Sequence, residues 1–301
     1  MIKAFFTLFF LVPVCSTAQQ IPSDKIQTFV QVITVDEGKE KTVFTANRHL
    51  EAPNWTGNDQ LLMNGGGLLY LLPAKGGKLR PLNIDTIKGC NNDHGFSPDG
   101  RWLAISHNVA GKGSYISVLP AAGGKPEQVT MNSPSYWHGW SRDGKTLAYC
   151  APRNGNFDIY TIPVTGGEEK RLTTEEGLDD GPEYSPDGKY IYFNSYRSGR
   201  MQIWRMGTDG SHPEQLTDDE LANWFPHISP DGKQMAFISY LEDQKQDHPF
   251  GKRVKLRIMN METKKISDLT KEFFGGQGSF NVPSWSPDSK KLAYIRYRVR
   301  K

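Results

Sequence analysis

The sequence has little of several features that mark common classes of protein. Its 301 residues include only three cysteines and no Cys-x-x-Cys pair, so neither a thiol redox site nor a zinc ribbon is indicated. No interior stretch is apolar for long enough to span a bilayer. The 36 Lys and Arg nearly balance the 33 Asp and Glu. This balance argues against a nucleic-acid-binding protein, which requires a basic face.

Sequence signatures of catalysis are also scarce. No Gly-x-Ser-x-Gly elbow occurs, which argues against a serine peptidase of the α/β-hydrolase type. Residues 139–146 match the P-loop pattern letter for letter. A P-loop requires a following helix whose N-terminus meets the phosphates, whereas Leu147-Ala148-Tyr149 predicts a strand. Nucleotide binding is therefore not indicated.

The first 18 residues are typical of a secretory signal peptide. Lys3 supplies the positive start, residues 4–14 form a short apolar run, and residues 16–18 are a small-residue cleavage site. The apolar run is too short for a membrane anchor. Lipidation of Cys15 is a weaker alternative, because the bulky Val14 precedes it. We predict cleavage after Ala18 and a periplasmic or secreted protein without a membrane span.

Two cysteines, Cys90 and Cys150, remain in the mature chain. An exported location permits a disulfide between them. A disulfide also requires a specific separation of the two Cα atoms, which the sequence does not specify. We expect two free, buried thiols, with the disulfide as the alternative.

What the sequence does contain is an internal repeat. An aromatic residue or Ile, followed by Ser-Pro-Asp-Gly-Lys or a variant of it, returns six times ahead of an apolar strand-like run. The copies begin at Trp55, Phe96, Trp140, Tyr184, Ile228 and Trp285, at spacings of 41, 44, 44, 44 and 57 residues. A fixed period of about 40–45 residues with several strands per unit is typical of the blades of a β-propeller.

Each repeat predicts four antiparallel strands joined by tight turns. In the Pro-Asp-Gly turn, Pro presets φ and Gly takes the position that requires a positive φ. A lone four-stranded sheet cannot bury both faces, but blades stacked around an axis can. Strand-like runs at residues 28–33 and 41–44 precede the first repeat, and half a blade ends the chain. We predict an all-β, six-bladed propeller, one domain over residues 19–301, whose last blade is closed by the N-terminal strands.

The longest spacing comes from an insertion at residues 241–254 in the fifth repeat. Its many charged residues predict an exposed loop. The sequence leaves open whether this loop covers a site or only decorates the surface.

Polar and aromatic residues collect just upstream of the repeats, where the first strand of each blade begins. In a propeller these strands line the central channel, so their starts should ring one mouth of it. The candidate ligand-binding residues are Asp93, His94, Trp137, His138, Asp179, Asp180, Asn223 and Trp224. The alternative is that such side chains only cap strand ends and bond the loop backbone.

Two imidazoles that face carboxylates can hold a divalent cation or act as general acid and base. His94 and His138 are the candidate metal ligands, with His49 as a third. The aromatic residues could stack on a sugar ring or a peptide side chain. No cofactor other than such a cation is indicated, no catalytic residue is assigned, and binding is favoured over catalysis.

The repeats resemble those of the TolB-like six-bladed propellers, whose units carry the PD40 signature of an aromatic residue and Ser-Pro-Asp-Gly-Lys. The matching segments are residues 96–104, 140–149, 184–193, 228–237 and 285–294. The resemblance implies a periplasmic binding or scaffold module, with an envelope protein or a saccharide as its ligand. TolB itself has an additional N-terminal α/β domain, for which residues 19–50 leave no room. We therefore expect a TolB-like propeller, acting as a monomer, without a strict Tol–Pal role.

A looser similarity links the chain to the oligogalacturonate lyases, which are propellers that hold a catalytic metal with histidines at the channel mouth. His94, His138 and His49 are the positions that this similarity suggests. It implies an alternative function, a lyase or hydrolase acting on a sugar polymer or an oligosaccharide.

Overall fold

Six antiparallel sheets form the protein in the computed structural model, which describes residues 21–300. The predicted signal peptide and Cys15 lie outside the described residues. Apart from a 3-10 turn at Ser23–Lys25, every regular element of the described part is a β-strand. Residues 21–300 contain no helix that is long and apolar enough to cross a membrane.

The strands follow one another blade by blade. The first two are β1 (Ile26–Thr34) and β2 (Lys39–Ala46). Blade one contains β3 (Glu51–Trp55), β4 (Gln60–Gly65), β5 (Leu68–Pro73) and β6 (Arg80–Pro81). Blade two contains β7 (Cys90–Phe96), β8 (Trp102–Val109), β9 (Gly113–Pro120) and β10 (Glu127–Gln128). Blade three contains β11 (Tyr136–Trp140), β12 (Thr146–Arg153), β13 (Asn156–Pro163) and β14 (Lys170–Arg171).

The remaining blades complete the ring. Blade four contains β15 (Asp179–Tyr184), β16 (Tyr190–Ser195), β17 (Gln202–Gly207) and β18 (Glu214–Gln215). Blade five contains β19 (Ala222–Ile228), β20 (Gln234–Tyr240), β21 (Lys252–Asn260), β22 (Ile266–Asp268) and the additional β23 (Phe273–Gly275), which pairs with β21. The last strand is β24 (Lys291–Val299).

The sixth blade joins the two ends of the chain. Strand β24 pairs with β1 over nine residues, and β1 pairs with β2. The innermost place of this blade is taken by a segment that makes a single bridge, between Trp285 and Leu292. The prediction of an all-β, six-bladed propeller closed by its N-terminal strands is confirmed.

The Ser-Pro-Asp-Gly turns connect the first and second strands of the blades. In blade two, Ser97 Oγ donates to Asp99 Oδ1 (2.6 Å) and accepts from the Trp102 N–H (3.0 Å), and Gly100 has a φ of +68°. The same Ser–Asp bond recurs in blades three to six. Because each first strand ends at its turn, the turns lie at the opposite end of the channel from the strand starts.

Packing between neighbouring blades forms the core. Large side chains on the second strands, such as Tyr149, Phe193 and Phe237, are fully buried. Tryptophans of the repeats also tie blades together, since Trp140 Nε1 donates to the Gly95 carbonyl (2.9 Å) of the preceding blade. The thiols of Cys90 and Cys150 are buried and free.

Candidate functional site at the channel mouth

A cavity of about 410 Å³ opens where the inner strands of blades two to four begin. Blades two to five contribute polar and aromatic side chains, among them Asn91, Asn92, Asp93, Tyr136, His138, Cys150, Asp180 and Phe225. The blade-five insertion contributes three consecutive residues, Gln246, Asp247 and His248. The cavity therefore lies at the predicted mouth, and the insertion forms part of its wall.

Bulges in the inner strands direct the side chains of the site. The register of β11 against β12 shifts at His138, and that of β15 against β16 shifts between Asp180 and Glu183. A β-bulge bends the strand and changes the direction of a side chain. The glycine after His138 lets blade four approach, because a Cβ at Gly139 would lie 2.7 Å from the Pro182 carbonyl oxygen.

Asp180 is the centre of the polar network. Its Oδ1 lies 3.0 Å from His138 Nε2 and accepts the Gly181 N–H at 2.7 Å. Its Oδ2 lies 3.5 Å from Nε2 of His248. Asp180 and His138 are buried, whereas His248 is partly exposed at the edge of the cavity. One carboxylate therefore joins blade three, blade four and the insertion.

The ionisation of this network follows from burial and from its close partners. Burial opposes the charge of Asp180, but the two imidazoles outweigh it and hold the pKa of Asp180 well below its ordinary value. Burial also opposes a charge on His138, but Asp180 outweighs it and raises the pKa of His138. The pKa of His248 is raised in the same way. Attraction between the carboxylate and the two imidazoles thus favours the charged form of all three groups.

Asp93 is a second buried carboxyl group of the cavity, in a different electrostatic state. Burial raises its pKa to about 6, with the charge of His138 acting in the opposite direction and that of Asp180 adding to the rise. Asn91 Nδ2 donates to Asp93 Oδ2 (2.7 Å). Of the two buried carboxyl groups of the cavity, Asp180 therefore has a lowered pKa and Asp93 exchanges its proton at about pH 6.

The insertion is held over the mouth by contacts with blades four and five. Gln246 Oε1 accepts the N–H of Leu178 (2.8 Å), and Tyr240 Oη donates to the carbonyl of Pro249 (3.1 Å). The ring of His248 packs edge-on against Trp224, with 4.6 Å between ring centroids. These contacts place the insertion against the site, which answers the question that the sequence left open.

The predicted ligand-binding residues fall into two groups. Asp93, His138 and Asp180 line the cavity. The others point elsewhere: Asp179 pairs with Arg197 (2.9 Å), Asn223 accepts from Ser239 Oγ (2.6 Å), and His94, Trp137 and Trp224 are fully buried. The binding role assigned to these eight residues stays a prediction.

The three candidate metal ligands are not brought together at this cavity. His49 packs against Phe250 and Tyr297, and neither His49 nor His94 lines the cavity that contains His138. Among the described residues, neither ring nitrogen of His94 has a hydrogen-bond partner, and burial lowers the pKa of His94 to about 3. His94 is therefore a neutral core residue in this structure.

Two important residues of the site were missed from the sequence. Cys150 pairs with Tyr136 across the β11–β12 ladder. This pairing is the signal that could have placed Cys150 at the mouth. His248 belongs to the insertion, whose path does not follow from the repeat.

Known proteins share both the fold and much of the sequence. A family profile described as the TolB beta propeller domain (PD40) matches residues 138–281. Uncharacterized protein Atu1656 of Agrobacterium fabrum is 46% identical over 279 residues, which are 92% of this chain and 94% of that protein. A solved protein of Agrobacterium tumefaciens, provisionally assigned to TolB, is 44% identical with a TM-score of 0.86, covering 91% of this chain and 99% of its own.

More distant solved structures share only the fold. TolB from Acinetobacter baumannii is 18% identical with a TM-score of 0.64, covering 93% of this chain and 68% of its own. An oligogalacturonate lyase from Vibrio parahaemolyticus is 15% identical with a TM-score of 0.51, covering 91% of this chain and 74% of its own.

Proposed function

Because this chain belongs to the TolB-like β-propeller family, we propose that it is an exported recognition protein that binds a segment of another envelope protein at the channel mouth. The observation that carries this proposal is the cavity of about 410 Å³ in which blades two to five and the insertion converge. Pockets of about 300–1,000 Å³ that combine apolar walls with a few polar groups are typical ligand sites.

The chemistry of the cavity favours a peptide over a sugar. Amide side chains of Asn91, Asn92, Gln246 and Gln277 line it, and amides donate and accept as peptide groups do. Sugar recognition by stacking requires an accessible aromatic face, and the two tryptophans predicted for this role, Trp137 and Trp224, are 1% and 0% exposed. Tyr136 and Phe157 are the partly exposed aromatic residues that line the cavity. The carboxylates would favour a segment with a lysine, an arginine or a free amino group.

The pKa of Asp93 is in keeping with a function at the mouth. A buried carboxyl whose pKa is raised to about 6 opposes folding whenever it is ionised. Residues that lower stability in a cavity are frequent at functional sites, where binding requires them.

Export is proposed from the predicted signal peptide and from the family. A periplasmic location would place the mouth among envelope proteins, as the TolB resemblance implies.

A pull-down from an envelope extract tests the proposal. The mouth variant combines Asp93→Asn with Asp247→Asn, which keep side-chain size and remove two carboxylates of the cavity. Its matched control combines Lys145→Ala, Lys189→Ala and Lys233→Ala, exposed residues of the turns at the opposite end. We expect a protein that the wild type and the control retain and the mouth variant loses. Equal retention by all three would contradict the proposal.

A second candidate function is an enzyme acting on a sugar polymer or an oligosaccharide. The observation that favours it is the opposite pKa shift of Asp93 and Asp180 in one cavity, because acid–base enzymes separate the pKa values of paired groups in this way. Incubation with acidic and neutral oligosaccharides tests it. Cleavage by the wild type that Asp93→Asn abolishes would replace the recognition proposal with this one.

A further inference from the structure

Three buried side chains of different chemistry bring metal-ligating atoms together at the cavity. His138, Cys150 and Asp180 each offer one such atom, and these atoms lie within 4.8 Å of one another. All three residues also line the cavity, so an ion has a path to them. We propose that His138, Cys150 and Asp180 bind one zinc-class divalent ion, with its fourth coordination position open to the cavity.

The set of donors selects the class of metal. An imidazole nitrogen, a thiolate sulfur and a carboxylate oxygen are all ligands of Zn²⁺, whereas Ca²⁺ and Mg²⁺ prefer oxygen alone. In a tetrahedral zinc site neighbouring donor atoms are about 3.5 Å apart. His138 Nε2 and Asp180 Oδ1 are already 3.0 Å apart, so small side-chain movements complete the site.

The buried network supplies the charge that the ion requires. A carboxylate that ligates a metal is ionised, and a coordinated thiol gives up its proton. Binding therefore places one carboxylate and one thiolate against a divalent cation. Because metal ligands must be deprotonated, the thiol proton of Cys150 and a proton on the ligating nitrogen of His138 would leave to solvent.

His248 acts as a positioning residue for this site. Its Nε2 lies 3.5 Å from Asp180 Oδ2, the oxygen that does not face His138. A group that holds the second oxygen of a ligating carboxylate fixes the direction of the first. Since His248 belongs to the insertion, the ion would couple blades three and four to the loop over the mouth.

The open position distinguishes this site from a purely structural one. Three protein ligands and one exchangeable position are the arrangement that zinc proteins use to bind a further molecule. The ion would accept a carbonyl or carboxylate oxygen that enters the cavity. The proposed zinc site does not require the proposed protein ligand, so Zn²⁺ binding can be measured in the absence of that ligand.

Titration of the chelator-treated protein with Zn²⁺, and in parallel with Co²⁺, tests the proposal. We expect one ion per chain and, with Co²⁺, the ultraviolet charge-transfer band of a thiolate ligand. Cys150→Ser should abolish that band and weaken Zn²⁺ binding at least about tenfold. The matched control is Cys90→Ser, which replaces the other free, buried cysteine and should change neither property.

A second variant, His248→Gln, tests the site with little risk to folding. His248→Gln replaces a partly exposed residue and should weaken Zn²⁺ binding by about 10–100-fold, while the thiolate band persists in the metal-saturated protein. No stoichiometric Zn²⁺ in the wild type would overturn the proposal, as would unchanged affinity in Cys150→Ser. A wild type that binds no zinc and still retains an envelope protein at the mouth would refute the metal site and leave the recognition function standing.

Discussion

At the scale of single residues, Asp93 shows how burial at the cavity changes the ionisation of a carboxyl group. The pKa of Asp93 is about 6 in the folded protein, against an ordinary value of 3.8. The folded state therefore holds this proton more tightly than the unfolded chain does. Its contribution to stability is fully present below pH 3.8 and is lost as the pH rises through about 6.

Asp93→Asn should consequently stabilise the protein at neutral pH. A shift from 3.8 to about 6 corresponds to roughly 3 kcal/mol at most, and the gain should disappear near pH 4. Urea unfolding at pH 4, 5, 6 and 7 measures the difference. Asp143→Asn is the control, and its expected change in stability at neutral pH has the opposite sign, because hydrogen bonding from Ser141 lowers the pKa of that turn carboxyl. An Asp93→Asn variant less stable than the wild type at pH 7 would show that the ionised carboxylate contributes to folding.

Neighbouring residues show why the site could be predicted only in part. Asp179 and Asp180 are adjacent in the sequence, yet Asp179 pairs with Arg197 and Asp180 lies in the cavity. Which of two consecutive residues faces the channel depends on the strand alternation and on the bulges in the inner strands, and a bulge has no clear sequence signature. The same holds for Asp93 and His94.

At the scale of elements, the Pro-Asp-Gly turn was predictable because its chemistry is local. Glycine occupies the positive-φ place in four copies, with φ from +68° to +73°. The last copy has Ser289 there with a φ of +60°, and its Oγ accepts the Asp231 N–H at 3.1 Å. A non-glycine residue is therefore tolerated where it gains a partner.

Gly100→Ala tests the backbone cost of this turn. The added Cβ would meet nothing within 4 Å, so only the positive φ opposes it, at about 1 kcal/mol. Gly57→Ala is the matched control, because this site is also open but its φ is not in the left-handed region. We expect a lower free energy of unfolding in urea for Gly100→Ala alone. Equal stability of both variants would mean that the turn adapts to alanine.

The insertion is the element that the sequence could not place. Its charges predicted an exposed loop, whereas residues 248–252 are half-buried. Its position over the mouth depends on long-range contacts, such as that between Gln246 and Leu178. Such contacts are absent from the repeat pattern. The residues that the insertion contributes to the cavity were missed for the same reason.

At the scale of the whole molecule, the ring is closed by the pairing of β24 with β1. The repeat count and the half blades at the two ends were sufficient to predict this closure. Val30 pairs with Ile295 at the centre of the ladder, and both side chains are completely buried. The closure therefore depends on a dry interface that joins distant parts of the chain.

Val30→Asp should open the ring. An unpaired charge in a buried position costs several kcal/mol, so we expect a large fall in the urea midpoint and aggregation of the exposed strand edges. Thr45→Asp, at an exposed position of β2, should change the midpoint little. Size-exclusion chromatography and urea unfolding check both variants. A cooperative, monomeric Val30→Asp protein of normal stability would show that the closure is not required.

Selection of peptides from a random displayed library tests recognition at the channel mouth. The selected peptides would be titrated against the wild type, His138→Asn, the Asp93→Asn/Asp247→Asn pair and the triple lysine control at the opposite end. We expect cationic peptides whose affinity falls at least about tenfold in the mouth variants, a loss of about 1.4 kcal/mol, and is unchanged in the control. Peptides that bind all mouth variants as tightly as the wild type would contradict it.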